Sequence, residues 1–410
     1  MKNPDFCRDF LIMQVILFDT EVRNQLLPFT HTRPVADIRC GILTMRDRWE
    51  AFLNQSSGTL TVNYLQEVFP NNSGNDNLYI NGAVFANPTL TKAVQQLKSG
   101  EKLVKDNLII ALKTNSPITK IEDIVYHDVA VNYENDVYAL KNIWDIFSMN
   151  GAAIKGDFLL MTMNKKSAPI PENVTITGKE NLFIEEGAII NAGCIINAST
   201  GPIYIGKKAE ILEGSIIRGP FALCDGAVIK MGAKIYSDTT IGPGCKVGGE
   251  VSNVVFFANS NKGHDGYLGN AVIGEWCNLG ADTNCSNLKN NYDEIKIWDE
   301  HTNKSVKTGL TFCGLLMGDH SKCGINTMFN TGTVVGVSAN IFGAGFPEKF
   351  VPSYCWGGAE GMVTYSFDHA MDTAKRMMAR RNKELTDAEV NMYKHIFEHT
   401  QSQRDIFAKS

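Results

Sequence analysis

Between residues 174 and 345 the apolar positions fall on a six-residue beat. Ile205, Ile211, Ile217, Leu223, Ile229, Ile235, Ile241 and Val247 form an unbroken run of eight aliphatics at six-residue steps. Four places after each comes Ala209, Ser215, Phe221, Ala227, Ala233, Thr239, Cys245 or Val251, most of them small. Ile184, Ile190 and Ile196 form an earlier set; Tyr267, Ile273 and Leu279 form a later one, and Met317, Cys323, Phe329, Val335 and Ile341 a last one. A helix of 3.6 residues per turn cannot hold such a beat on one face. A simple alternating strand has no need of small residues at fixed offsets. The pattern predicts a β-solenoid in which each phrase is one flat side with a turn and three phrases close a triangular coil. Aliphatics then stack in ladders, roughly 4.8 Å per coil.

The first part of the chain has a different rhythm. "MQVILFD" (13–19), "LYIN" (78–81) and "NLIIALK" (107–113) read as buried strands, whereas 35–53 and 89–100 carry apolar residues at helical spacing. Strands alternating with helices predict an α/β layer with a mainly parallel sheet. "KKSAPIPENV" (165–174), with two prolines, is the natural linker. From Ser366 the chain is helical: Phe367, Met371, Ala374 and Met378 mark one face, and "TDAE" (386–389) is a capping box for a last helix carrying Val390, Tyr393 and Phe397. The expected organisation is 1–165 α/β, 166–365 solenoid and 366–410 helical, the tail capping the open end or joining subunits.

The solenoid beat breaks twice. Its phase slips by two residues between Val247 and Tyr267, where "SNVVFFANSNKGHDG" intervenes, and 294–310 alternates like a protruding hairpin. Loops that leave a rigid scaffold are where function concentrates.

Composition narrows the classes. With 410 residues, 44% apolar and 20% charged, the chain reads as soluble and globular; a net charge of -5 offers no basic field for nucleic acid. The ten cysteines contain no C-x-x-C pair, so buried free thiols and a reducing cytoplasm are expected instead of a metal or redox motif. The apolar run Phe10–Phe18 lacks a basic flank and a cleavage site and is too short for a bilayer, so no membrane association is expected.

The first break leads into "NKGHDGYLGNAVIGEWCNLGADT" (261–283). This phrase resembles K-A-G-H-x-x-Y-L-G-D-A-x-I-G-x-x-x-N-I-G-A-G-T of the bifunctional N-acetylglucosamine-1-phosphate uridylyltransferase / glucosamine-1-phosphate N-acetyltransferase family, in its Bacteroidetes-type variant. The resemblance implies a left-handed parallel β-helix for roughly 170–350, an acetyl-CoA cosubstrate, an amino-sugar phosphate acceptor and a homotrimer. It also implies roles for individual residues. His264 matches the general base, Glu250 its acidic partner, and Tyr267 a sugar-phosphate contact. Asn278 and Asn287 match substrate-holding positions, and Ala281 a backbone N–H beside the thioester. "IKMGA" (229–233) stands where the family has L-R-P-G-A, placing Lys230 at a phosphate-binding arginine.

The first half departs from its counterpart. A nucleotidyltransferase of this kind opens with L-x-x-G-x-G-T-R-M, whose glycines let backbone N–H groups cradle a triphosphate. Here "LFDTEVRNQLLPFTHTRPV" has no glycine, and Ala83 stands where the family has a metal-binding Asp. Arg33 and Asp37 are the available substitutes, and magnesium is called for only if this half is active.

Histidine suits N-acetylation because its ordinary pKa, about 6.5, leaves it mostly neutral at pH 7 and able to take an ammonium's proton. Bland readings stand beside these. A histidine after glycine is commonly a solvated turn residue, Tyr267 could be a coil-wall residue in a six-step slot, and Lys230 and Lys246 could be exposed solenoid charges. The run "NLKNNY" (287–292) could be a turn cluster, and His320 a coil corner. Two other classes remain: a metal enzyme of the carbonic-anhydrase sort built on His264, His301 and His320, and a non-catalytic scaffold that binds nucleotide sugars.

Overall fold

The structure, a computed structural model, describes residues 13–126 and 129–407. Cys7 and the start of the Phe10–Phe18 run lie outside the described residues. The described residues fall into two compact units: those within 1–20, 34–37 and 45–139, and those within 21–33, 38–44 and 140–410. Residues 21–33 and 38–44 thus belong with the solenoid, although their neighbours in sequence belong to the α/β unit.

The first unit is built on a six-stranded sheet. Its order is Ser57–Leu60, Gln14–Phe18, Asn77–Asn81, Leu108–Thr114, Glu101–Lys105, Val129–Asn132. Val15, Leu17, Leu78 and Ile80 pack on one face with Trp49, Leu90 and Val94. Ile16, Phe18, Leu60, Tyr79 and Leu112 pack on the other. Burial on both faces is why these strands read as continuous apolar runs. The sheet is mainly parallel, as expected, with one exception: Leu108–Thr114 runs antiparallel to both of its neighbours. The helix expected over 35–53 occupies only Met45–Leu53, after a short turn Val35–Asp37. Gly41, at φ 98, breaks it, and Ile42 is buried with Phe183, Tyr204 and Ala222 of the solenoid unit.

The second unit is a parallel β-helix. Its inward ladders match the six-residue beat: Ile205, Ile211, Ile217, Leu223, Ile229 and Ile241 are fully buried, and register pairs Ile190, Ile211, Ile229 and Val247 in one column. That column continues to Lys262, then beyond Leu279 to Cys323 and Ile341. Tyr267 does not occupy an inward slot. Val251 pairs with Leu268 and Phe256 with Ile273, so the inward positions here are five residues apart, and Tyr267 faces out beside Glu250. The strands Glu250–Phe256 and Tyr267–Ile273 each run seven residues through what is elsewhere a corner, and this shortening shifts the phase.

Residues 294–310 form the expected hairpin, with Lys296–Asp299 antiparallel to Lys304–Lys307. Ile295, Ile297 and Glu300 are nonetheless buried, so it packs instead of standing free. Helices Phe367–Ala379, Asp387–His399 and Gln401–Phe407 close the chain, the second with the capping box between Thr386 and Glu389. Among the described residues no helix is long and apolar enough to cross a membrane.

Candidate functional site

One corner of the β-helix gathers three of the expected residues. Ile229, Val247, Lys262 and Leu279 are consecutive inward positions, and the residues after them are Lys230, Gly248, Gly263 and Gly280. Coil-to-coil hydrogen bonds run from Lys230 N–H to Val247 O at 2.8 Å, from Gly248 N–H to Lys262 O at 2.7 Å, and from Gly280 N–H to Cys323 O at 3.1 Å. His264 and Ala281 each stand second after the inward residue of neighbouring coils, an equivalent place in the repeat. Lys230 stands first after its inward residue, two coils before His264 in the same column of corners.

His264 is exposed, and among the described residues its ring makes no hydrogen bond. Its carbonyl accepts a hydrogen bond from the Lys262 ammonium at 2.9 Å. Ala281 is half-buried; its carbonyl accepts from Asn326 N–H at 2.8 Å, and among the described residues its own N–H is free.

A second column flanks this corner. Lys234, Glu250 and Tyr267 are successive cross-strand partners with side chains directed outward. The Tyr267 hydroxyl accepts from Asn287 Nδ2 at 3.1 Å, Asn287 also donates to Asn270 Oδ1 at 2.7 Å, and Tyr267 N–H donates to Asn284 Oδ1 at 2.8 Å. Burial raises the Tyr267 pKa, with the Glu250 charge adding to the rise, so the phenol stays a neutral donor. The structure therefore joins Tyr267 to Asn287 directly and sets Glu250 beside Tyr267. No hydrogen bond links Glu250 to His264 among the described residues. Asn278 lies before the corner, in an outward column with Asn261 and Lys322.

Sequence reasoning missed Lys262, Asn270 and Asn284. Lys262 carries a faint signal: it is a long charged residue at the phase slip, where the ladder needs an inward side chain. His320 sits apart from this corner in chemistry. It is 2% exposed, stacked on Trp276 at 6.1 Å, and burial pushes its pKa well below the ordinary value. Among the described residues no group of three or more His, Cys, Asp or Glu could hold a metal ion. The nine described cysteines are free and buried. Burial pushes Cys245, Cys313 and Cys355 up to about 12, far from a reactive thiolate.

The side chains that could stand in for the missing nucleotide loop are already engaged. Arg33 donates to Glu275 Oε1 at 2.9 Å and to Asp319 Oδ2, and lies over the Phe257 ring at 5.0 Å. Thr32 donates to the same Asp319 oxygen at 2.7 Å, and His31 Nε2 lies 2.8 Å from Glu300. Burial alone would lower the Arg33 pKa, but the Asp319 and Glu275 carboxylates raise it beyond its ordinary value. Asp37 holds Arg46 through two bonds of 2.8 Å. Asp19 accepts Val35 N–H at 2.8 Å and the Thr61 hydroxyl at 2.6 Å. Ala83 is buried and offers no carboxylate. This donor set does not fit a magnesium–triphosphate site.

Residues 15–166 match the family model described as sugar nucleotidyl transferase. The chain is 32% identical over 219 residues to the bifunctional protein GlmU of Methanococcus maripaludis, covering 53% of this chain and 45% of that protein. It is 29% identical over 212 residues to a bifunctional sugar-1-phosphate nucleotidylyltransferase/acetyltransferase of Sulfurisphaera tokodaii, covering 52% and 46%. The chain thus spans about half the length of the curated relatives it matches. Among solved structures, the Francisella novicida UDP-N-acetylglucosamine acyltransferase is 13% identical, covering 57% of this chain and 87% of that one at a TM-score of 0.29, too low to carry an argument. The chain is thus similar to sugar nucleotidyl transferases over residues 15–166 and, over about half its length, to bifunctional GlmU proteins.

Proposed function

We propose that the β-helix transfers an acetyl group from acetyl-CoA to the amine of an amino-sugar phosphate, with His264 as general base. The observation that carries this is the corner itself. An exposed imidazole and the Ala281 N–H, both without a hydrogen-bond partner among the described residues, stand on neighbouring coils, next to the column of Glu250 and Tyr267 with its bound Asn287. The amine nitrogen attacks the thioester carbonyl while the imidazole takes the proton it loses. A backbone N–H at Ala281 is placed on a rigid coil to meet the oxygen as it becomes negative. The C–S bond then breaks, the thiolate leaves, and the imidazolium returns the proton to it. Tyr267 and Asn287 hold the sugar, Asn278 adds a contact from the neighbouring face, and Lys230 with exposed Lys234 supplies positive charge for the phosphate. Glu250 influences the ring through charge. The buried thiols take no part and suit a reducing cytoplasm, and the working form is a homotrimer whose sites lie between solenoid walls.

Thiol release from acetyl-CoA across a panel of amino-sugar phosphates tests this. The wild type should turn over, and His264→Ala should lose roughly two to four orders of magnitude in kcat with little change in acetyl-CoA affinity. The wild-type kcat should fall as pH drops through the histidine's pKa, and that limb should vanish in His264→Ala and shift in Glu250→Gln. A His264→Ala enzyme within a few-fold of wild type sinks the mechanism. Tight sugar-nucleotide binding without thioester turnover would point to a scaffold instead.

A further inference from the structure

The geometry points to Lys262 as the residue that positions the His264 turn; this rests on the general-base reading of His264. The column running from Ile190 through Ile211, Ile229 and Val247 is aliphatic until it meets Lys262, whose side chain is 1% exposed. A lysine in an aliphatic ladder needs a reason, because burying an ammonium costs free energy unless its protons are satisfied.

The reason lies in two defective corners. At ordinary corners a small side chain fills the bend just before the next strand: Ser215, Ala233, Thr283 and Thr327 are all buried there. The Val247 corner is two residues shorter than the one after Ile229, with only Gly248 and Gly249 before Glu250. The His264 corner ends on Gly266, at φ 116, where a Cβ would lie 2.2 Å from Thr283 O. Both corners therefore lack a filling side chain. The Lys262 ammonium occupies the gap, donating to Gly248 O at 3.1 Å in one corner and to His264 O at 2.9 Å in the other. It ties the two corners together and fixes the carbonyl of His264, whose ring makes no hydrogen bond among the described residues.

The charged groups that face the ammonium are Asp265 and Asp282, together with the Cys323 thiol. Burial lowers its pKa to about 8, against the pull of these neighbours. Below that pH the site therefore carries a positive charge close to the catalytic turn.

Two variants of the full chain test the assignment, Lys262→Met and Gly249→Ala. Lys262→Met removes both carbonyl contacts and the charge. A Cβ at Gly249 would sit 2.8 Å from Lys262 Nζ and 2.9 Å from His264 O, so Gly249→Ala disturbs the same contact and keeps the charge. Both should lower kcat about ten- to a hundredfold, as expected for misplacing a catalytic group by about 1 Å, with the acetyl-CoA KM within about twofold. In Lys262→Met the acid limb should also move to higher pH, because losing a nearby positive charge eases protonation of the ring. If Lys262→Met does not fold, Gly249→Ala decides by kcat. Folded variants with kcat within about twofold of wild type and an unmoved acid limb overturn the positioning role. Loss of activity in His264→Ala alongside that result would leave the general base standing, whereas an active His264→Ala would remove the base reading itself.

Discussion

Replacing Arg33 by Met should destabilise the β-helix unit by about 3–5 kcal/mol at pH 7, the usual range for breaking a buried ion pair from one side. The magnitude follows from what is left behind. Arg33 and Asp319 are both buried, their side chains 8% and 3% exposed, and Glu275 is the second carboxylate on the guanidinium. Without Arg33, Asp319 keeps the Thr32 hydroxyl at 2.7 Å and the Glu275 N–H at 2.8 Å, but its charge has no counter-ion. Methionine restores part of the packing on Phe257, so the loss is mostly electrostatic. Burial already raises the Asp319 pKa above its ordinary value, with Arg33 opposing the rise. Removing Arg33 raises it further. A carboxyl whose folded pKa lies above its unfolded one favours the fold most when protonated, and that contribution is lost as pH rises through the folded value. The Arg33→Met penalty should therefore shrink between pH 7 and pH 5. Urea unfolding followed by tryptophan fluorescence at both pH values measures this, and Trp276 reports from the same cluster through its stack on His320. Arg33→Met with Asp319→Asn should cost about 2 kcal/mol less than the sum of the two singles. A single-variant loss below about 1 kcal/mol at pH 7, or strict additivity in the pair, would refute the reasoning.

Ile229→Asp places an unpaired carboxylate in the fully buried ladder and should abolish soluble expression; a soluble variant with an unchanged Tm would break the stacking assignment. The α/β half should release no pyrophosphate from UTP with N-acetylglucosamine 1-phosphate and magnesium, because its loop has no glycine cradle and Arg33 and Asp37 are paired elsewhere. Robust turnover that disappears on mutating Arg33 would restore a second activity.

A repeat is a local property, and that is why so much of the β-helix was legible. Each phrase states its own inward residue, and stacking like on like follows without knowing any distant partner. The motif around His264 was legible for the same reason: its residues lie within two adjacent coils, so linear spacing translates into stacking. Where a corner shortens, local counting fails. Tyr267 kept the beat on paper but faces outward, because the strands Glu250–Phe256 and Tyr267–Ile273 skip a turn. The role of Lys262 needed the tertiary structure too, since its ammonium bridges the Gly248 and His264 corners of successive coils, and only the missing side chains at Gly249 and Gly266 make room for it. The longest-range choice was the least visible. Residues 21–33 read as a departed nucleotide loop, yet Arg33 finds its carboxylates 242 and 286 positions away. No local pattern encodes a charge pair at that separation. Desolvation makes each buried charge demand a partner, but which carboxylate answers is settled only when the coils bring Glu275 and Asp319 to one place.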